Sequence, residues 1–377
     1  MDWVSVAITF VLAFAVNQTV MVFAALHTWI ERKQSALMQD RIGANRAHIT
    51  LPWKWAAPIN WLIFAPLNGL GLFHPIADAI KMFMKEDFIP PSGDKFLHTL
   101  APILSLTCCF LGFAAIPFGD SMHLFGRDIN LQVANINVGI LYVFSAASLG
   151  VYGVILAGFA SNNNYAFLGS LRAASQMLAY ELVLGLTILG VVLVYGSLDL
   201  QQIVRGQGEY LLWGWIPKWG IVVQPIAFFL FVAAGIAETK RIPYDLPEAE
   251  SEIVGYFTEY SGMKFGMFFF TDFIETILIA ALTVTLFLGG WQVPFLAADG
   301  FHFPWGAVVN LPAMLVDLMQ IGSYLFKVVA VCWLFMTIRW TLPRFRYDQL
   351  MSMAWKGIFP IAVASLIITA AFVVFLP

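Results

Sequence analysis

Apolar stretches long enough to cross a bilayer recur along this chain, at roughly 3–28, 98–118, 137–160, 176–197, 220–239, 265–290, 313–340 and 357–376. No other feature limits its fold as strongly. Crossing about 30 Å of hydrocarbon takes about 20 apolar residues in a helix. Within that layer every backbone N–H and C=O must be satisfied inside the segment. The expected fold is therefore an all-α membrane protein with about eight transmembrane helices. Composition agrees: 60% of the 377 residues are hydrophobic and 11% are charged, where a soluble domain carries about 25% charged residues. The first run follows Met1-Asp2-Trp3, with no basic n-region, and is too long for a signal-peptide core. It reads as a retained first span.

Eight spans put the connections alternately on two sides. Of the 20 basic residues, only Arg127, Arg205 and Lys218 fall on one side, and Lys327 lies inside the seventh run. All the others fall on the opposite side, which the positive-inside rule makes cytoplasmic. Both termini are then expected outside. The whole of 1–377 reads as one polytopic membrane domain with two long cytoplasmic connections, 30–97 and 240–264. In the first, HPIADAIKMFMKED sets Ile76, Ile80, Phe83 and Met84 on one face and Asp78, Lys81 and Lys85 on the other. With Pro75 in its first turn, it reads as an amphipathic helix near 75–87 lying along the interface. The aromatic, Pro-punctuated stretch 51–73 is too broken for a clean span and reads as interfacial or as a short re-entrant hairpin.

The second connection, with the segment entering span six, reads ETKRIPYDLPEAESEIVGYFTEYSGMKFGMFFF. It carries Glu238, Asp245, Glu248, Glu250, Glu252 and Glu259 at the edge of a bilayer, where carboxylates are costly unless hydrated, paired or used. Asp245 and Glu248 have capping-box spacing, so a short helix is expected from there. Span four places Glu181 about one turn into its apolar run, after the polar connection SNNNYAFLGSLRAASQ. Span six opens with Asp272 and Glu275. In span seven Asp317 and Lys327 are too far apart for a direct pair on one straight helix. Burial and like charges make such carboxyls titrate as a set, which suits a proton path. Equally open are a solvated polar face for Glu248, Glu250 and Glu252, and a salt bridge from Glu181 or Glu238 to Arg172 or Arg241. Span three is rich in small residues (Ser145, Ala146, Ala147, Ser148, Gly150, Gly153, Gly158), which permit close helix approach.

The chain shows no P-loop, no dinucleotide fingerprint and no nucleophile elbow. Cys108, Cys109 and Cys332 lie inside apolar runs, and the six histidines are scattered. Neither set suggests an iron–sulfur cluster, haem or metal, so no redox centre and no chemically catalytic residue are expected.

At the acidic connection the sequence resembles a known family. ETKRIPYDLPEAESEIVGYFTEYSGMKF is similar to the signature loop of the H subunit of bacterial NADH–quinone oxidoreductase (respiratory complex I), homologous to mitochondrial subunit 1. WIERKQSALMQDRIGAN, HPIADAIKMFMKE, SNNNYAFLGSLRAASQMLAYE and RWTLPRFRYDQLM resemble further blocks in the family's order, so the likeness runs from Trp29 to Met351. It implies about eight tilted helices in a bacterial inner membrane. The implied partners are the quinone-site subunits of the peripheral arm and a small membrane subunit leading to the antiporter-like subunits. The implied substrate is quinone (ubiquinone or menaquinone), with FMN and iron–sulfur clusters confined to partner subunits. By matching position, the resemblance assigns Glu31, Arg32, Arg41, Asp78 and Arg241 to the quinone passage. It assigns Glu181, Glu238, Asp245, Glu248, Glu250 and Glu252 to proton coupling. Ala44 stands where the family usually has Pro, His74 where it has Gln, and the chain between Asn45 and His74 is longer than usual. A related anchor of a hydrogenase or ferredoxin-linked complex, a stand-alone proton-coupled carrier and a purely structural subunit remain open at this point.

Overall fold

The computed structural model describes residues 3–53, 57–124, 127–211, 214–246, 255–297 and 299–375. Helix α1 spans Trp3–Met38. Three short turns follow, α2 (Ala57–Ile59), a π segment (Asn60–Phe64) and α3 (Ala65–Leu70), then the amphipathic α4 (His74–Met84). Next come α5 (Lys95–Gly112), α6 (Gly139–Ala160), α7 (Asn164–Tyr195) and the short α8 (Leu200–Gly206) and α9 (Gly220–Val223). The chain continues through α10 (Pro225–Glu238), α11 (Gly262–Phe287), α12 (Ala313–Thr341), α13 (Tyr347–Ser352), a π turn (Met353–Ile358) and α14 (Phe359–Phe375). Small antiparallel ribbons occupy the connections: β1 (Ser121–Leu124) with β2 (Arg127–Asn130), β3 (Tyr210–Leu211) with β4 (Ile216–Pro217), and β5 (Leu296–Ala297) with β6 (Gly300–His302) and β7 (Val308–Asn310).

Among the described residues seven helices are long and apolar enough to cross a membrane. The stretch expected as one span at 220–239 is instead split. Pro225 cannot donate a backbone hydrogen bond and disfavours helical geometry in the residue before it. Gln224 accordingly leaves the helical region (φ −135°, ψ 64°), and α10 runs only 14 residues beyond it. The Gln224 amide then bonds to Thr369 of α14 at 3.0 Å, so the break is tied into the bundle.

A second difference lies at α7. The polar stretch 161–176 is expected as a connection but is mostly helix. Asn163 caps the start of α7 by accepting the Tyr165 N–H at 3.0 Å. Its small residues, Ala166, Gly169, Ser170, Ala173 and Ala174, are buried, so this polar end is a packing surface. Glu181 therefore sits about 25 Å along the helix, at 1.5 Å per residue, rather than one turn in.

Helix α11 is the centre of the bundle: 78% of its most apolar window is buried, against 11% for α1 and for the α13–α14 segment. Lipid tails are as apolar as leucine, so helices in a membrane are held by close packing rather than by exclusion of water. Small residues provide that contact between α5 and α6. A Cβ on Gly153 would lie 2.9 Å from the Ser105 Cβ, closer than real carbons approach.

The helical turns at 57–70 are clipped to the backbone at Ile49 and Leu51. Asn60 exchanges two hydrogen bonds with the Leu51 backbone, and Asn68 exchanges two with Ile49. His74 Nε2 accepts the N–H groups of Arg46 and Ala47. His74 thus closes the base of the 46–73 segment. From there α4 turns about 80° and exposes Ile76, Ile80, Phe83 and Met84, as the sequence pattern requires.

Candidate functional site

Glu31 lies on α1 and is 8% exposed. Its carboxylate accepts from Arg241 Nη1 at 2.9 Å and from Arg339 Nη1 of α12. A buried carboxylate is costly without such partners, and here one acid holds two guanidinium groups. Arg241 also lies over the Phe273 ring, 4.2 Å from its centroid. Arg344 binds Asp245 at 2.8 Å, and Gln176 of α7 donates to the carbonyls of Ala237 and Tyr244. Together these contacts fix residues 239–246 against α1, the middle of α7 and the end of α12. Tyr244 packs between the rings of Tyr180 and Phe345, and burial pushes its phenol pKa up.

These residues enclose a pocket of about 350 Å³ lined by Glu31, Arg32, Arg241, Asp245, Asp272 and Arg339, with Phe269, Phe273 and Trp340 as its aromatic wall. Arg32 carries the lining onward. It pairs with Asp78 of α4 at 2.6 Å, and with Phe269 it also lines a neighbouring pocket of about 250 Å³ that holds Asp78, Lys81 and Lys85. The charged face of α4 therefore points at the site while its apolar face stays outward. Arg41 does not join them. It lies in the exposed turn after α1 and bonds Gln39 at 2.7 Å.

On the bundle side stands Glu238, the last residue of α10, which is 3% exposed. The expected alternative of a salt bridge to Arg241 is not formed, because Arg241 is committed to Glu31. Glu238 Oε2 has no hydrogen-bond partner among the described residues. It borders a cavity of about 20 Å³ with Glu275, Lys240, Ser105 and Cys109. That volume suffices for one water. Lys240 contacts Asp272 at 3.0 Å and Glu275 at 3.7 Å. Burial alone would favour the neutral amine, but Asp272 beside it outweighs this and holds the ammonium well above the usual lysine range. Glu181 hydrogen-bonds Ser148 of α6.

Glu248, Glu250 and Glu252, and the helix expected from Asp245, lie outside the described residues. Sequence reasoning missed Arg339 and Lys240. Their only signals were basic residues at the ends of spans, which anchoring already explained. At the other end of the bundle Lys327 donates to the carbonyls of Leu288, Gly290 and Gln292, closing the end of α11.

A family model described as NADH dehydrogenase matches residues 10–370. A protein of Thermomicrobium roseum, named as the H subunit of NADH-quinone oxidoreductase, is 44% identical over 372 residues, covering 98% of this chain and 97% of the relative. H subunits of the same name from Cytophaga hutchinsonii (numbered 1) and Rhizobium meliloti (numbered 2) are 40% and 41% identical. They cover 96% and 91% of this chain and are themselves covered to 95% and 90%. The chain belongs to the H-subunit family of NADH–quinone oxidoreductase.

A member of the H-subunit family is one membrane component of a multi-subunit oxidoreductase, so the site is to be read within an assembly. Among the described residues no three His, Cys, Asp or Glu side chains come together in a way that could hold a metal ion. What the site brings together is charge: Glu31, Arg32, Arg241 and Asp245 around one pocket, Glu238 around the next, and Lys240 between them.

Proposed function

We propose that this protein admits quinone from the bilayer and couples its reduction, carried out in the peripheral arm, to proton movement in the membrane arm. The observation that carries the proposal is the continuity of polar side chains from the Glu31 pocket, through Lys240, to the Glu238 cavity. A quinone has an apolar tail and a polar headgroup. The Phe269–Phe273–Trp340 wall suits the former. The Glu31–Arg241–Arg339 cluster and the Arg32–Asp78 pair offer hydrogen-bonding charge to the latter. Arg41, Glu248, Glu250 and Glu252 belong to the same proposal on family likeness alone.

In this mechanism reduction of the headgroup creates negative charge or a proton demand near residues 239–246. Asp245 and the acidic loop respond, and the change reaches Glu238 and Glu181 as a shift in a coupled set of carboxyls. The proposed partners are the quinone-site subunits of the peripheral arm, which carry the iron–sulfur clusters and FMN side of the reaction, and a small membrane subunit toward the antiporter-like subunits. The proposed placement is a bacterial inner membrane with residues 239–264 cytoplasmic and both termini outside.

The test uses the assembled complex in proteoliposomes. Glu31→Gln weakens the hold on Arg241 and Arg339 and is expected to raise the quinone KM by about tenfold, the worth of one charge-assisted hydrogen bond. Glu238→Gln is expected to lower proton translocation per electron. An unchanged KM in the first variant together with full coupling in the second would sink the proposal.

A further inference from the structure

Two cavities in this chain have one lining residue in common. Lys240 borders both the Glu31 pocket and the water-sized cavity beside Glu238. Its side chain is 2% exposed. The ammonium stands 3.0 Å from Asp272, which lines only the first cavity, and 3.7 Å from Glu275, which lines only the second. The two acids sit three residues apart on one face of α11. Behind the ammonium is Tyr256, with its hydroxyl at 3.5 Å and its ring centroid at 5.7 Å. The backbone of Lys240 has φ 54°, a region usually left to Gly or Asn. Its N–H bonds the Ala237 carbonyl, so the end of α10 holds the residue at this junction.

The groups facing the ammonium are Asp272 and Glu275 from α11, Tyr256 from the segment before it, Glu238 from α10 and the Cys109 thiol from α5. One cation confronts three carboxyls. It cannot neutralise all of them, so where the cluster keeps its protons depends on which acid the cation favours.

We propose that Lys240 is the coupling residue between the two cavities: its ammonium shifts toward the Glu31 pocket when negative charge arrives there, and a proton passes from Glu238 to Glu275 through the small cavity. The O–H bond on Glu238 breaks, one forms on Glu275, and nothing is oxidised or reduced. A lysine suits this task because its charge is compact and its four-carbon stem flexible. A displacement of 1–2 Å matters where charges interact in a low dielectric, as roughly 332/(εr) kcal/mol. The inference rests on the preceding proposal only for the source of the arriving charge.

The assembled complex carrying Lys240→Met or Lys240→Arg, in proteoliposomes, tests it. Lys240→Met is expected to cut protons moved per electron by about half and to shift the pH profile of quinone reduction by roughly half a unit or more. Lys240→Arg restores both the ratio and the profile. Parental stoichiometry and pH profile in Lys240→Met overturn the inference, as does equal loss in the two variants, which marks a packing role. If Lys240→Met does not assemble, the charge-neutral pair Lys240→Met/Asp272→Asn replaces it under the same readouts. The two proposals fail separately. An ordinary quinone KM in Glu31→Gln strikes the pocket, whereas normal coupling in Lys240→Met beside a raised KM in Glu31→Gln strikes only the role of Lys240.

Discussion

Glu31 shows how one side chain can fasten three elements. It sits four residues after His27 on α1, and its two oxygens take guanidinium groups from the 239–246 segment and from α12. The two arginines are not equivalent. The Arg241 side chain is 10% exposed and the Arg339 side chain 25%, so solvent screens the second more. Removing one partner of a buried pair leaves an uncompensated charge and costs about 3–5 kcal/mol. Arg241→Met is therefore expected to lower the thermal midpoint of the purified protein or complex in detergent clearly more than Arg339→Met. Equal losses would mean that exposure does not rank these two pairs.

At the scale of elements, the α5–α6 contact depends on a missing side chain. Gly153 lies where a Cβ would strike Ser105, with the Ala101 carbonyl at 3.0 Å. Gly153→Val is expected to destabilise by about 1–3 kcal/mol, the usual result of overpacking. Gly185 on α7 is the control, since nothing lies within 4 Å of its added Cβ. Gly185→Ala is expected to be neutral or to stabilise by up to about 1 kcal/mol. Thermal denaturation in one detergent compares the two. The clip between Asn68 and Ile49 makes a separate prediction. Asn68→Ala removes both hydrogen bonds to Ile49, each worth about 1 kcal/mol. Faster hydrogen exchange is expected at residues 49–53 and 57–70, with none added in α11.

At the scale of the molecule, the two ends of the bundle differ in chemistry. One end gathers Glu31, Arg241, Arg339, Arg344 and Asp245. The other is closed by the β ribbons and by Lys327 on the carbonyls after α11. On the basic asymmetry of the sequence we propose that the first end is cytoplasmic. Cysteine labelling checks this, and the three native cysteines are buried. In spheroplasts, Ala307→Cys is expected to react with an impermeant maleimide at once. Ser92→Cys is expected to react only after the membrane is opened.

The apolar runs made a bundle of spanning helices unavoidable, since hydrocarbon leaves the backbone no other partner. The basic residues gave an expectation of its sidedness, and the PIADA segment showed its two faces through 3.6-residue spacing alone. Family blocks marked Glu31, Asp78 and Glu238 as notable. Those signals are local or periodic, and a linear chain displays them. Which acid meets which base is neither. Arg241 could pair with Glu238, three residues away, or with Glu31, 210 residues away, and only packing selects the second. The same holds for Lys240, whose sequence neighbours look like an ordinary membrane anchor. Its place between Asp272 and Glu275 exists because α10 ends against α11. Charge pairing across a bundle is settled by three-dimensional distance and desolvation together, and neither quantity can be read along the chain.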